Sequence, residues 1–387
     1  MLRTCACCLN SELEIIWELP NLPLTGIYLT SHSEPSFEYL HNQNLLYCNN
    51  CSHLQLSKIV DPDLLYLETY THRTSTSPIS KSGNEFLLNT ILDKEFTNKK
   101  QILEIGCNDI YLLKNLRGIS EHRAGVDPIF DNNKIEVEPG IFVHGGFAES
   151  IDYGNLIEKP VDLIISAHTF EHIIDPVKSL LNLKPYVSDK LDFIIEVPSS
   201  VRMLEQLRLD QVFSQHINYY SPKSLTQLMQ TIGLRFVSII HNYSYWGGTQ
   251  ILYFSNYHNS DESVKENISK ETFYSAKKHF LNEIEIIKFK LKSAPGRIFA
   301  YGAAQMLPIL QYHLGDVFDL VSEIFDDNPE RIGKNFPFDL RTIKELDGFK
   351  FFPDDTILIT ALDSAKPLTK RLIDKNINLI ILPIGNI

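Results

Sequence analysis

Four of the six cysteines fall in two short pairs, Cys5-x-x-Cys8 and Cys48-x-x-Cys51. A C-x-x-C turn lets two thiolates reach one ion, and two such turns complete the tetrahedral sulfur shell of a structural zinc site. Cys7 competes for the first pair, but the two-residue spacing favours Cys5 with Cys8. One long loop must bring the second pair back to the first. The alternative is four reduced cysteines packed as small hydrophobes, against which the doubled spacing argues. A closed four-sulfur shell leaves no open coordination position, so such a zinc holds a fold and does not catalyse. A different chemistry is suggested by "DQVFSQHINYYSPKSL", where His216 stands in a loop among aromatics after a strand ending "IIEVPSS". Imidazole, with an ordinary pKa near 6.5, suits a general base at cellular pH, while an ordinary loop histidine is the plain alternative.

The elements that must position these groups repeat β then α. "KKQILEIGCNDIYLLKNL" reads as a strand ending at Glu104-Ile105-Gly106, a tight turn through Cys107-Asn108-Asp109, and a helix. About twenty residues on, "AGVDPIF" is a second strand with Asp127 at its end, where a carboxylate can accept from ribose hydroxyls. Gly106 allows a ligand to approach the backbone closely. Asn108 and Tyr111 occupy the other glycine positions of G-x-G-x-x-G, so the dinucleotide fingerprint is not met and a different adenosine-containing ligand is expected. The pattern continues through "VDLIISAHTFEHIIDPVKSLLNL", "LDFIIEVPSS" and "SPKSLTQLMQTIGLRFVSII". It predicts a mostly parallel sheet covered by helices, with Glu104, Asp127, His168 and Glu196 at or near strand ends, where such sheets bind ligands. Residues 224–233 are expected to form a helix ended by Gly233.

Composition bounds the rest. A chain of 387 residues fits two to three domains, and a net charge of −12 with no Lys/Arg block lacks the footprint of a nucleic-acid binder. "MLRTCACCLN" has no secretory core, and no apolar run reaches the ~18–20 residues that span a bilayer, so a cytoplasmic, membrane-free protein is expected. From Glu262 to Lys292 the spacing predicts one long charged helix with an apolar stripe of Phe273, Phe280, Ile284, Ile287 and Leu291. After Pro295-Gly296, "RIFAYGAA", "LVSEIFDDNP", "DTILITA" and "INLIILP" predict a second α/β unit. Gly302 and Asp326 stand at dinucleotide-like spacing, but the glycine fingerprint is absent, so this unit is read as a scaffold shaping the site rather than an NAD domain.

The order of two C-x-x-C pairs, "LEIGCND", "GVDP", "HTFEHIIDP", "EVPSS", the histidine loop with "NYYS", "YWGGTQIL" and "RIFAYGAAQMLPILQY" resembles the S-adenosylmethionine-dependent sugar C-methyltransferases over nearly the whole chain. The resemblance implies a zinc-binding domain (1–66), a class I, Rossmann-like methyltransferase domain (67–258) and a connecting helix with a C-terminal Rossmann-like domain (259–387). It implies S-adenosylmethionine held by Glu104, Gly106, Asn108, Asp127, Phe147, Ala148 and His168, with "GGFAES" near the adenine. Zinc would be held by Cys5, Cys8, Cys48 and Cys51. The acceptor would be a nucleotide-linked 4-keto sugar, whose carbon beside the ketone loses a proton before methylation. The family's loop reads Tyr-His-Glu-His; here it is Phe213, Ser214, Gln215 and His216, so the base is kept and its neighbours are changed. His172, read as opening a helix, and Tyr70 match positions near the sugar. Trp246, Gly247 and Gly248 form a loop that can approach a ligand, or a plain turn. An O- or N-methyltransferase, or a nucleotide-sugar-binding protein without transfer activity, are the competing readings. A monomer or small homo-oligomer is expected.

Overall fold

The computed structural model describes residues 4–30, 37–61, 65, 78–94, 96, 99–258, 264, 266–375, 377, 379–382 and 384. The N-terminal part contributes β1 (Leu13–Pro23), β2 (Leu29–Thr30), β3 (Leu40–Cys48) and β4 (Leu54–Leu56). β1, β3 and β4 pair antiparallel in sequence order, so the turn between β3 and β4 carries Cys48 and Cys51 back beside the N-terminal cysteine turn.

The middle part contributes β5 (Ile102–Ile105), β6 (Arg123–Val126), β7 (Ile135–Glu138), β8 (Ile141–His144), β9 (Val161–Ala167), β10 (Val187–Pro198), β11 (Asn218–Tyr219), β12 (Arg235–Asn242) and β13 (Thr249–Ser255). Eight of them form one sheet in the order β12-β13-β10-β9-β5-β6-β8-β7. β5, β6, β8, β9 and β10 run parallel, whereas β13 lies antiparallel between β10 and β12. These strands are continuous apolar runs because both faces are covered, as parallel sheets require. Alternate side chains divide accordingly: Ile102, Leu163 and Ile165 pack on one face with Leu87 and Ile91, and Leu103, Ile105 and Ile164 on the other with Leu180 and Leu183.

The last part contributes β14 (Ile298–Tyr301), β15 (Val321–Asp326), β16 (Lys334–Asn335), β17 (Ile343–Glu345), β18 (Thr356–Ile359) and β19 (Leu379–Ile381). Five form a parallel sheet, β17-β15-β14-β18-β19, whose order reverses beside β14. The helix before it spans Lys270–Lys292, shorter than the expected start at Glu262. Glu262 lies outside the described residues, and the Ser269 side chain accepts from Thr272 N to cap the helix where it begins. Its stripe of Phe273, Phe280, Ile284, Ile287 and Leu291 is buried as the periodicity predicts.

The three parts interlock. β11 pairs with β4, so a strand from the middle of the chain completes the N-terminal sheet, and β2 pairs with β16 of the last part. One continuous core joins Trp17 and Leu19, Met203 and Phe213, and Leu307 and Phe318. Trp17 stacks on His313 at 5.6 Å between centroids and meets Phe280 edge-on at 6.2 Å. Among the described residues no helix is long and apolar enough to cross a membrane.

Candidate active site and metal centre

The four cysteines meet as their spacing predicts. Cys5 Sγ lies 3.5 Å from Cys51 Sγ and Cys8 Sγ 3.6 Å from Cys48 Sγ, and all four sulfurs fall within 4.8 Å of one another. A tetrahedron with Zn–S bonds of about 2.3 Å has edges of roughly 3.8 Å, so the donor set fits zinc. The two turns share one design: Leu9 N donates to Cys5 O and Ser52 N to Cys48 O, with Leu9 and Ser52 in the left-handed region at φ 59° and 62°. Cys7 is buried outside the set, and its amide donates to Cys5 Sγ at 3.4 Å.

At the carboxyl edge of the middle sheet, Gly106 follows β5 with φ +78°. A Cβ there would sit 1.8 Å from Thr169 Oγ1, so glycine is demanded by packing of the β5 turn on the loop after β9. Asp127, directly after β6, accepts from Asn108 N at 2.9 Å and Ile129 N at 3.1 Å, which fixes its carboxylate at the neighbouring edge. Glu104 is buried, and its Oε2 has no hydrogen-bond partner among the described residues. Burial, then the charges of Asp127 and Asp109, push its carboxyl well above the usual range. A buried acceptor without a partner fits a site completed by a ligand donor. After β8, Phe147 is half exposed on the rim and Ala148 is buried. Their loop is tied across by Glu149 Oε1, which accepts from Ile174 N at 3.0 Å.

His168 follows β9 with φ +49°, and its amide donates to Glu196 O. Its Nδ1 lies 3.2 Å from Glu171 Oε1. His172 ends a 3₁₀ turn, Phe170–His172, instead of opening the helix; that helix starts at Pro176 under an Asp175 cap, because proline fits the first helical turn. His172 Nδ1–H donates to Gln215 O at 2.8 Å, which leaves Nε2 with its lone pair. His216 is 7% exposed, not an open loop histidine, with its ring centroid 4.2 Å from Phe213 and 4.9 Å from His172. One ligand atom each of Glu171, His172 and His216 lies within 4.8 Å of the others.

The electrostatics of this cluster are polarised. Burial, reinforced by His172, pulls His216 down to about 3, so its imidazole is neutral near pH 7. Burial pushes Glu171 up, but His168 foremost, with His172 and His216, outweighs it and holds the carboxyl down at about 2. The same partner raises His168 despite burial. Glu196 is buried, pushed up by burial, and accepts from Thr249 Oγ1 at 2.5 Å.

Gln215 spans three parts of the chain. Its Nε2 donates to Thr25 O, and its Oε1 accepts from Thr25 Oγ1 at 2.6 Å and from Gln305 Nε2 at 2.8 Å. The glycine loop packs as a turn: Gln211 Nε2 donates to Trp246 O, and a Cβ on Gly247 would meet Arg208 and Gln211 at 2.9 Å. A small cavity of about 10 Å³ lies beside His216 among Pro198, Met203 and Tyr219. Tyr70 lies outside the described residues. Sequence reasoning passed over Glu171, Thr25 and Gln305. Glu171 had a signal, an acid lying between two candidate histidines in "HTFEH"; the other two had none.

Residues 80–239 match the family described as "Methyltransferase domain". This part of the chain is a methyltransferase domain. Its strand order, with β13 antiparallel between β10 and β12, is the class I arrangement that binds S-adenosylmethionine. Residues 5–66 match the family described as "Putative zinc binding domain", in keeping with the four-cysteine cluster. The protein resembles the C-methyltransferases: it is 23% identical over 252 residues to C-methyltransferase NovU of Streptomyces niveus, covering 64% of this chain and 60% of that protein. Among solved structures, N-methyltransferase NodS of Bradyrhizobium japonicum in complex with S-adenosyl-l-homocysteine aligns at TM-score 0.34 and 13% identity, over 47% of this chain and 89% of that one. A SAM-dependent methyltransferase of Aquifex aeolicus aligns at TM-score 0.31 and 17% identity, over 43% and 88%.

Proposed function

We propose that this protein transfers the methyl group of S-adenosylmethionine to a ring carbon of a nucleotide-linked keto sugar, with His216 as general base. The observation that carries this reading is the convergence of Glu171, His172 and His216 on the carboxyl edge of the methyltransferase sheet, next to the Thr169 that packs on the Gly106 turn. Glu104, Gly106, Asn108, Asp127, Phe147, Ala148 and His168 are the residues that would hold the donor, with Asp127 on the ribose hydroxyls. Bound S-adenosylmethionine supplies an electrophilic methyl group.

The protein's own groups account for the proton. His216, which burial keeps neutral at pH 7 and also weakens as a base, accepts the proton from the ring carbon beside the ketone, and the electron pair left behind delocalises onto the ketone oxygen. The ionised Glu171 carboxylate stabilises the imidazolium that forms. His172, with Nδ1–H committed to Gln215 O, offers Nε2 as an acceptor that orients a sugar hydroxyl. The same reading gives the Tyr70 hydroxyl the role of a donor to the substrate. Under the same reading the protein works in the cytoplasm, as a monomer or small homo-oligomer, on a small-molecule substrate.

Incubation with a panel of nucleotide-linked 4-keto sugars in D₂O without donor tests it. The wild type is expected to exchange the proton beside the ketone, and His216→Ala to lose that exchange. Exchange that survives in His216→Ala would remove His216 from the role of base.

A further inference from the structure

The peptide that follows His216 is held from two sides. Ile217 N donates to Glu171 O at 2.8 Å, and Ile217 O accepts from Leu56 N of β4 at 2.9 Å. β11 then continues the pairing, Asn218 opposite Gln55 and Tyr219 opposite Leu54. Asn218 is 2% exposed and fully engaged: its Oδ1 accepts from His53 Nε2–H at 3.2 Å, and its Nδ2 donates to Ile173 O at 2.7 Å. His53 and Gln55 belong to the metal-binding part. His53 follows Cys51 by two residues, and its carbonyl accepts from Cys48 N. Gln55 Oε1 accepts from Ala6 N, inside the first cysteine turn, at 2.8 Å, and its Nε2 donates to Thr4 O.

On the other side of His216, Thr25 and Gln215 exchange two hydrogen bonds in a buried setting, and Gln215 O fixes the tautomer of His172. The segment between is a tight turn, His216 N donating to Phe213 O while Phe213 N donates to Tyr219 Oη. Both ends of the histidine loop are therefore fastened to the zinc-binding part, and one end reaches the cysteine turns through two side chains.

We infer that the zinc-binding part is a clamp that sets the position of His216, with Thr25 and Asn218 as positioning residues for the proton-transfer step. The inference rests on the reading of His216 as base, but the clamp itself is a property of the loop. Loss of zinc frees the two cysteine turns, slackens β4 against β11, and lets the His216 turn move relative to Glu171. The donor residue Glu104 lies on β5 and Asp127 directly follows β6, strands that make no pairing with β4 among the described residues, and both are left in place.

Hydrogen exchange on the full-length protein tests the clamp without reference to activity. In Thr25→Val, which keeps the shape and removes the hydroxyl, and in Asn218→Leu, the amides of residues 213–219 are expected to exchange at least ~10-fold faster, with zinc content and S-adenosylmethionine affinity unchanged. Thr25→Ser should restore protection, and chelation of zinc from the wild type should reproduce the loss. In the deuterium assay the same variants should lower the exchange rate by about tenfold, while the affinity for S-adenosylmethionine measured separately by calorimetry stays fixed. Unchanged protection of 213–219 in Thr25→Val and after zinc removal would overturn the clamp, whatever the acceptor proves to be. Altered protection with no methylation of any keto sugar would instead leave the clamp standing and overturn the reading of the reaction.

Discussion

Replacing Glu171 by Gln keeps the side-chain shape and removes one buried charge. The ligand atoms of Glu171 and His216 lie within 4.8 Å, and two unit charges at that separation and an effective dielectric of about 20 interact by about 3 kcal/mol. The imidazolium of His216 exists only after proton abstraction, so this energy is lost from the transition state and not from the ground state. The expected result is a fall in the rate of proton exchange of about two orders of magnitude with little change in the affinity for S-adenosylmethionine. His168, held up by Glu171, should drop in pKa at the same time, which histidine NMR reads directly. The assay is single-turnover deuterium exchange on the folded variant, with donor binding measured alongside by calorimetry. A rate within threefold of wild type, in a variant that binds the donor normally, would refute the role assigned to the carboxylate.

Asp127→Ala should weaken S-adenosylmethionine binding by about 10- to 100-fold, as calorimetry would show, and should also cost about 1–3 kcal/mol of stability, because the carboxylate that accepts from Asn108 N and Ile129 N is lost. Gly106→Ala must fit a Cβ against Thr169 Oγ1 at a φ of +78°, and a loss of about 1–3 kcal/mol in urea unfolding is expected. Elemental analysis should find about one zinc per molecule and about none in Cys48→Ala. Acid should destabilise the fold in two windows. His216 is held at about 3 against an unfolded value near 6.5, so the unfolded state binds the extra proton and stability falls as pH drops from 6.5 towards 3. At pH 5 this amounts to about 2 kcal/mol, absent in His216→Gln. Glu171, held at about 2, adds stability above its unfolded value near 4.5 that is lost as pH falls from there towards 2.

Much of this was legible in the sequence because it is local. The strand runs "ILEI" and "VDLIISA" become the central strands β5 and β9, and the residues expected at strand ends, Glu104, Asp127, His168 and Glu196, do stand there, since a parallel sheet puts every βα turn on one edge. The doubled C-x-x-C spacing likewise brings all four sulfurs together. What was not legible is set by long-range contacts. Gln215 reads in sequence as a changed family residue; in the fold it is a staple to Thr25 and Gln305, 190 and 90 residues away. The short stretch after His216 gives no strand signal, because two residues are too few for an alternating pattern, yet β11 completes the N-terminal sheet. His172 reads in sequence as a helix start because its neighbours Phe170 and Ile173 extend the apolar spacing of Val177 and Leu180, yet the helix begins only at Pro176 under the Asp175 cap.

The proposed reaction stands or falls on which atom receives the methyl group. With ¹³C-methyl-labelled S-adenosylmethionine and the keto sugar that undergoes exchange, long-range carbon–proton correlation NMR of the product locates the label. A methyl bonded to the ring carbon beside the ketone is expected; a label found on oxygen or nitrogen would contradict methylation at carbon.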